Sequence, residues 1–321
     1  MPDAPPAIAA HGLVKHFGDV RALDRFDIEV DAGTVHGLVG PNGAGKTTFL
    51  RVLFDLVAVD DGSLAVLGVE RDPDGSADLA GVAGFVEDPR FYSYLTGRRN
   101  LELLADLDGV EWDRVDEVLE VVRLGDGADR KVGGYSSGMR QRLGMAAALL
   151  RSPRVLLLDE PTVGLDPAGA REVLLLVREM AAGGGTVLIS SHHMTELEGA
   201  CDGVTVVAAG RSVWHGSMER LRAEAPAPAH RLWTSDDARA MELAAGDPAV
   251  GVIADPEGGL TVSAEGDVLD GYVLVLGRAG VAVRRLELLM TPLESMFLAL
   301  TGEREEEAVA GDRPDEVGAI T

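Results

Sequence analysis

Gly40-Pro41-Asn42-Gly43-Ala44-Gly45-Lys46-Thr47-Thr48 is the stretch on which the reading of this chain turns. It fits a phosphate-binding loop: Gly, four residues, Gly-Lys, then Ser or Thr. A short, mostly apolar run, Val35-His36-Gly37-Leu38-Val39, precedes it, as a buried strand would. Thr48-Phe49-Leu50-Arg51-Val52-Leu53-Phe54 follows with the apolar spacing of a helix. Glycines let successive backbone N–H groups turn inward around an anion, and a helix starting near Lys46 adds its positive dipole end. Lys46 is then expected to reach the β- and γ-phosphates, and the Thr47 hydroxyl to hold Mg²⁺. An ordinary Gly-rich turn is the plainer alternative. It is weakened by the scarcity of lysine, which occurs only at Lys15, Lys46 and Lys131.

Outward from the loop, strands alternate with helices. Phe26-Asp27-Ile28-Glu29-Val30 alternates apolar and polar residues as a half-buried strand does, and residues 13–17 can pair with it antiparallel. Asp60-Asp61-Gly62-Ser63 reads as a turn, followed by strands over 64–68 and 82–86. Helical periodicity covers 95–107, 112–124 and 138–150. Arg154-Val155-Leu156-Leu157-Leu158 and Thr186-Val187-Leu188-Ile189-Ser190 are continuous buried-strand material of a parallel sheet, with a helix over 168–182 between them. The pattern predicts an α/β fold.

Composition shifts at Ala223-Glu224-Ala225-Pro226-Ala227-Pro228-Ala229, so 223–229 reads as a linker. Beyond it 230–302 reads as a small α+β domain. Strands are expected over 260–262, 272–276 and 281–283, and a helix from Thr291-Pro292-Leu293-Glu294. Residues 1–7 read as a frayed extension and 303–321, with Glu305-Glu306-Glu307, as a disordered acidic tail.

No run of apolar residues is long enough to span a membrane, and the first residues lack the regions of a signal peptide. The single cysteine, Cys201, can form no intrachain disulfide and is expected to be a buried structural thiol. These features favour a cytoplasmic protein. The net charge of −24 argues against nucleic acid as a partner, because phosphate contacts need clustered Lys and Arg.

Three further motifs bear on chemistry. Val155–Leu158 ends in Asp159-Glu160, which sets two carboxylates at a strand's C-terminal end, beside the phosphate loop in such a fold. Asp159 is expected to bind Mg²⁺ through water, and Glu160 to act as base for the attacking water. Tyr135-Ser136-Ser137-Gly138-Met139 opens a helix whose N-terminus can serve as an anion site, although alone it reads as a Ser N-cap. Ser190-Ser191-His192 closes a strand, where a histidine can contact a γ-phosphate.

This ordered set closely resembles the ATPase subunits of ATP-binding-cassette (ABC) transporters, over about residues 7–220. Gly40–Thr48 resembles the Walker A loop, with Gly40, Asn42, Gly43, Ala44, Gly45, Lys46, Thr47 and Thr48 around ATP, and Val155–Glu160 the Walker B strand. Residues 135–139 stand where the family signature lies, Gly164-Leu165-Asp166 at the D-loop, His192 at the switch histidine, and Phe17 at the aromatic that stacks on adenine. The resemblance implies an ABC-type P-loop ATPase over 8–222: a parallel-sheet core, an antiparallel β subdomain and a helical subdomain at about 89–150. It implies ATP and Mg²⁺ as ligands and a homodimer in which two chains sandwich ATP head to tail. Ser136 and Gly138 would then touch the γ-phosphate held by the opposite chain. It also implies a separate membrane permease and a place on the inner face of the cell membrane.

Two positions depart from the commonest form. The signature has Ser137 for the first Gly and Met139 for Gln, and Glu87 stands where a Gln usually follows the strand. Glu87 could face Mg²⁺ or water and assist hydrolysis, or point to solvent. Both departures resemble the daunorubicin- and bacitracin-resistance branch of exporters. In this resemblance Arg90-Phe91-Tyr92-Ser93-Tyr94-Leu95-Thr96 falls where the membrane subunit docks. The alternatives are a non-transport ABC ATPase that regulates a membrane protein, and a ribosome-associated factor. The latter is disfavoured by the single cassette and the acidic composition.

Overall fold

In the computed structural model, which describes residues 5–71 and 79–302, the chain divides into two compact units, 1–227 and 228–321. Alternation in the first strands builds an antiparallel sheet. Ile8–Phe17 (β1) pairs with Val20–Val30 (β2) from Ile8 opposite Val30 to Phe17 opposite Val20. On its other side β1 meets Asp61–Val66 (β4), which pairs in turn with Val69–Glu70 (β5). The expected turn over 60–63 is therefore mostly strand, because Ser63 is drawn into the ladder opposite His11 and Asp61 opposite Val14. Ala7 is also not frayed. It is 2 % exposed, and its N–H donates to Val30 O at 2.7 Å.

The second sheet holds the strands read as buried. Val35–Val39 (β3), Val82–Phe85 (β6), Val155–Leu158 (β7), Thr186–Ser191 (β8) and Gly203–Ala208 (β9) run parallel, and Arg211–Ser217 (β10) closes the edge antiparallel to β9. Their order is β10-β9-β3-β8-β7-β6. Lys46–Leu53 (α1) lies between the sheets. Its Phe49 ring sits 4.7 Å from that of Phe26 on β2, in a core with Ile28, Leu50, Leu53, Leu157 and Leu188. Burying a ring of that size is worth about 2–3 kcal/mol.

Gly97–Asp108 (α2), Asp113–Val121 (α3) and Ser137–Leu149 (α4) pack on one another, and α4 also packs on β6. α2 and α4 have readable starts or stops. Thr96 caps α2 by accepting from Arg99 N–H, Gly109 ends it in the left-handed region, and Ser136 caps α4. Pro167–Ala182 (α5) starts on Asp166, whose carboxylate accepts from Gly169 N–H. Met194–Leu197 (α6) and Met218–Glu224 (α7) complete the unit.

The C-terminal unit reads β-α-β-β-α-β: Ala229–Thr234 (β11), Asp237–Ala244 (α8), Gly251–Ala254 (β12), Leu260–Ser263 (β13), Gly266–Arg278 (α9) and Val283–Met290 (β14). Its antiparallel sheet has the order β12-β13-β11-β14. This is the ferredoxin-like arrangement. Leu232, Leu260 and Val262 pack with Leu269, Tyr272 and Leu276 of α9. The strand expected over 272–276 is thus helix. A short apolar run fits either state, and the i, i+3, i+7 burial of Leu269, Tyr272 and Leu276 decides for helix. Val281 precedes β14, which begins at Val283. Pro292–Thr301 (α10) starts at Thr291 in a full capping box with Glu294. Of the stretch expected to be linker, 223–224 belong to α7 and 229 to β11. The expected acidic tail, 303–321, lies outside the described residues.

Candidate nucleotide site

The loop after β3 has a shape only glycine permits at two points. A Cβ on Gly40 would lie 2.3 Å from Val207 O; one on Gly45, at φ +110°, would lie 2.6 Å from Ala22 O. Gly45 is also the N-cap of α1 and brings no side chain to it, and no acidic residue sits in the first turn. The leading N–H groups of α1 therefore have no capping acceptor from the chain, and the dipole end is uncompensated. Lys46 curls back over the loop. Its ammonium is buried and donates to Gly40 O at 2.6 Å and Pro41 O at 3.1 Å. A glycine cradle, a bare helix N-terminus and a buried ammonium form a donor set for the phosphates of ATP. Asn42 and Gly43 are exposed at the loop's outer side, and Thr47 and Thr48 are half-buried in the first turn of α1.

Parallel pairing of β7 between β6 and β8 brings the two carboxylates to this loop. Asp159 is 5 % exposed and accepts from Ser190 Oγ at 2.6 Å. Ser190 Oγ in turn accepts from Glu160 N–H at 2.9 Å. The Glu160 backbone takes φ +44°, in the left-handed region, where a carboxylate residue is uncommon. Its carboxylate then lies 3.4 Å from Lys46 Nζ and 3.1 Å from His192 Nδ1. The structure thus brings Lys46, Asp159, Glu160 and His192 into one connected cluster. Ser190, fully buried, ties the two acids together, and sequence reasoning gave it no role. A serine ending a strand carries no signal of its own until the neighbouring strand's register is known.

Glu87 behaves differently from its expected catalytic and metal role. Its backbone, at φ +64°, places its N–H 3.4 Å from Asp159 Oδ2. Its carboxylate, 64 % exposed, instead pairs with Arg51 Nη2 on α1 at 2.5 Å. Asp159, held by Ser190, offers a buried carboxylate of the kind that can hold Mg²⁺. Among the described residues no group of three or more His, Cys, Asp or Glu could hold a metal ion by itself.

Ser136 and Gly138 stand apart from this cluster. Ser136 is exposed, and its Oγ accepts from Met139 N–H at 3.3 Å, while Gly138 is open enough that the nearest atom to an added Cβ is Leu165 Cδ2 at 3.8 Å. Behind them Tyr135 is buried and donates to Gly127 O at 2.7 Å, and burial raises its phenol pKa. Phe17, at the end of β1, is 46 % exposed, with Lys15 Nζ 5.6 Å from its ring centroid. Tyr92 and Tyr94 are exposed side by side, ring centroids 5.8 Å apart. Cys201 is buried, and burial pushes its thiol up to about 12, so it is no nucleophile at neutral pH. His36 on β3 is pushed down to about 3, first by burial and then by His215, and stays neutral.

Known proteins are similar to this chain. A family profile described as ABC transporter matches residues 23–163. The chain is 37% identical over 307 residues to the daunorubicin resistance ATP-binding protein DrrA3 of Streptomyces coeruleorubidus, covering 94% of this chain and 97% of that protein. It is 39% identical over 212 residues to the bacitracin transport ATP-binding protein BcrA of Bacillus licheniformis, covering 65% and 69%. Among solved structures, a nucleotide-free ATP-binding cassette from an ABC transporter aligns with a TM-score of 0.61 at 25% identity, over 66% of this chain and 91% of that one.

Proposed function

The chain belongs to the ABC transporter family as an ATP-hydrolysing cassette, and we propose that it powers export of a hydrophobic compound or drug through a separate membrane permease. The observation that carries the chemistry is the placement of Glu160, whose two carboxylate oxygens face Lys46 and His192. Relatives named for daunorubicin resistance and bacitracin transport support the export reading.

ATP is held by the loop N–H groups and Lys46, with the adenine stacked on exposed Phe17. Thr47 and Asp159 would hold Mg²⁺, which would supply charge to offset that of the phosphates. Glu160 takes the proton of the attacking water as that water bonds to the γ-phosphorus and the bond from that phosphorus to the bridging oxygen breaks, so that ADP leaves and inorganic phosphate forms. His192 fixes the Glu160 carboxylate toward the γ-phosphate. Glu87, drawn to Arg51, shapes the loop through its backbone and not through its carboxylate.

Cassettes of this family dimerise and pair with membrane subunits. In our reading the dimer is head to tail. The exposed Ser136 and half-buried Gly138, which no described hydrogen bond links to Lys46, complete the site of the second chain by adding a second helix N-terminus to the γ-phosphate. Tyr92 and Tyr94 offer apolar surface to the permease, which supports a chain working on the inner face of the cell membrane. Among the described residues no helix is long and apolar enough to cross a membrane, so the pathway lies in a partner. Affinity purification from detergent-solubilised membranes is expected to recover a polytopic membrane protein at near-equal amounts. Recovery of ribosomes in its place would overturn the transport reading.

A further inference from the structure

The C-terminal unit ends its sheet on an open strand. β14 is eight residues long and pairs only with β11, on one side; among the described residues nothing pairs with its outer edge. Residues 284–288 are all exposed. Sheets normally blunt such an edge with proline, a bulge or a short strand, because its free N–H and C=O groups template pairing with another chain. β14 contains no proline; Arg284 and Leu289 are each an extra residue against β11, so its regular run is Arg285-Leu286-Glu287-Leu288, with Leu286 and Leu288 in the open, at 38 % and 55 % exposure.

The charges of β14 select the occupant. Arg285 and Glu287 share one face, the face of Trp233 and Arg231, as their pairing with those residues on β11 shows. Arg285 lies 4.8 Å from the Trp233 ring centroid, and its guanidinium meets Glu287 at 2.5 Å. Leu286 is on the other face, opposite Leu232. Antiparallel pairing of β14 with a second β14 must keep facing residues on one side of the sheet, so the two-fold axis passes through a residue and not between two. Centred on Leu286, within the regular run 285–288, it sets Arg285 opposite Glu287 twice and Leu286 opposite Leu286. Centred on Glu287, it sets Glu287 against its own copy, which is repulsive. The strand is complementary to itself in one central register.

We propose that β14 is a self-association edge: two copies of this chain pair antiparallel through it, centred on Leu286, so that two four-stranded sheets join into one. The pairing uses no residue of the nucleotide site. It therefore forms without ATP and keeps two chains together while their nucleotide sites open and close.

Cross-linking of the full-length chain, free of nucleotide, tests the register. Leu286→Cys places two thiols at facing positions about 5 Å apart between Cα atoms, within disulfide range. Leu288→Cys places them about four residue steps apart, roughly 13 Å, which a disulfide cannot span. The only other thiol, Cys201, is buried. Under mild oxidation Leu286→Cys is expected to convert largely to a covalent dimer and Leu288→Cys to stay uncrosslinked. Sedimentation of the unaltered chain without nucleotide should show a dimer. Glu287→Arg should raise its dissociation constant about tenfold, and Arg285→Glu with Glu287→Arg should restore it. A nucleotide-free monomer, equal cross-linking of both cysteine variants, or none in Leu286→Cys would overturn the proposal. Normal ATP hydrolysis alongside any of these would leave the ATPase reading intact.

Discussion

Glu160→Gln is expected to lower ATP turnover by about a thousandfold while ATP binding is kept or tightened. The change is nearly isosteric, so the Ser190 bond to the backbone N–H of residue 160 and the fold of the loop should survive. What goes is the group that accepts the proton of water: an amide oxygen is far too weak a base. A negative charge beside the γ-phosphate goes with it, which removes repulsion to the bound triphosphate. Phosphate release and equilibrium binding of ATP, measured on the same preparation, check both halves. Turnover at the unaltered rate would remove Glu160 from the base role.

Lys46→Ala should weaken ATP binding by about a hundredfold, the loss of one to two charge-assisted hydrogen bonds to phosphate. The lysine now donates to Gly40 O and Pro41 O, and its ammonium is almost fully buried. Its removal therefore takes the one buried cation from a cluster that also contains Asp159 and Glu160. Calorimetric titration with a non-hydrolysable ATP analogue reads the affinity, and circular dichroism confirms that the variant is folded. Unchanged affinity would mean that phosphate is held elsewhere.

Much of the site was legible because its constraints are local. Gly40 and Gly45 stand where any Cβ would meet backbone, so the loop's geometry is written in residue type. Val155–Leu158 is apolar on both faces, as a central parallel strand must be, and the acids at its end fall at the carboxyl edge of the sheet. Ser190 was not legible, since its bond to Asp159 depends on the alignment of β7 with β8, with Leu158 facing Ile189. The direction of the Glu87 carboxylate was not legible for a related reason. Its departure from the usual residue was plain, but Arg51, one helix away on α1, decides where its carboxylate goes.

In the fold, the parallel core and the helices over 97–149 followed their periodicity, and the capped start of α10 was read from Thr291, Pro292 and Glu294. The C-terminal unit was read less well. Tyr272-Val273-Leu274-Val275-Leu276 has the composition of a strand, and only packing of Tyr272 and Leu276 under the sheet makes it helix. Most of β14 carries exposed apolar and charged residues together, so no clean alternation marks it. The feature that hid this strand from sequence is the one that leaves its edge available.

The central claim is that each nucleotide site is completed by a second chain. Lys46→Ala disables the phosphate loop of its own chain, and Ser136→Arg blocks the signature offered to a partner. Neither variant alone should hydrolyse ATP. A mixed dimer of the two, isolated through different tags on each chain, contains one site with both halves intact. It is expected to release phosphate at about half the unaltered rate per dimer, one working site of two. A mixed dimer as inactive as its parents would contradict a site shared between chains.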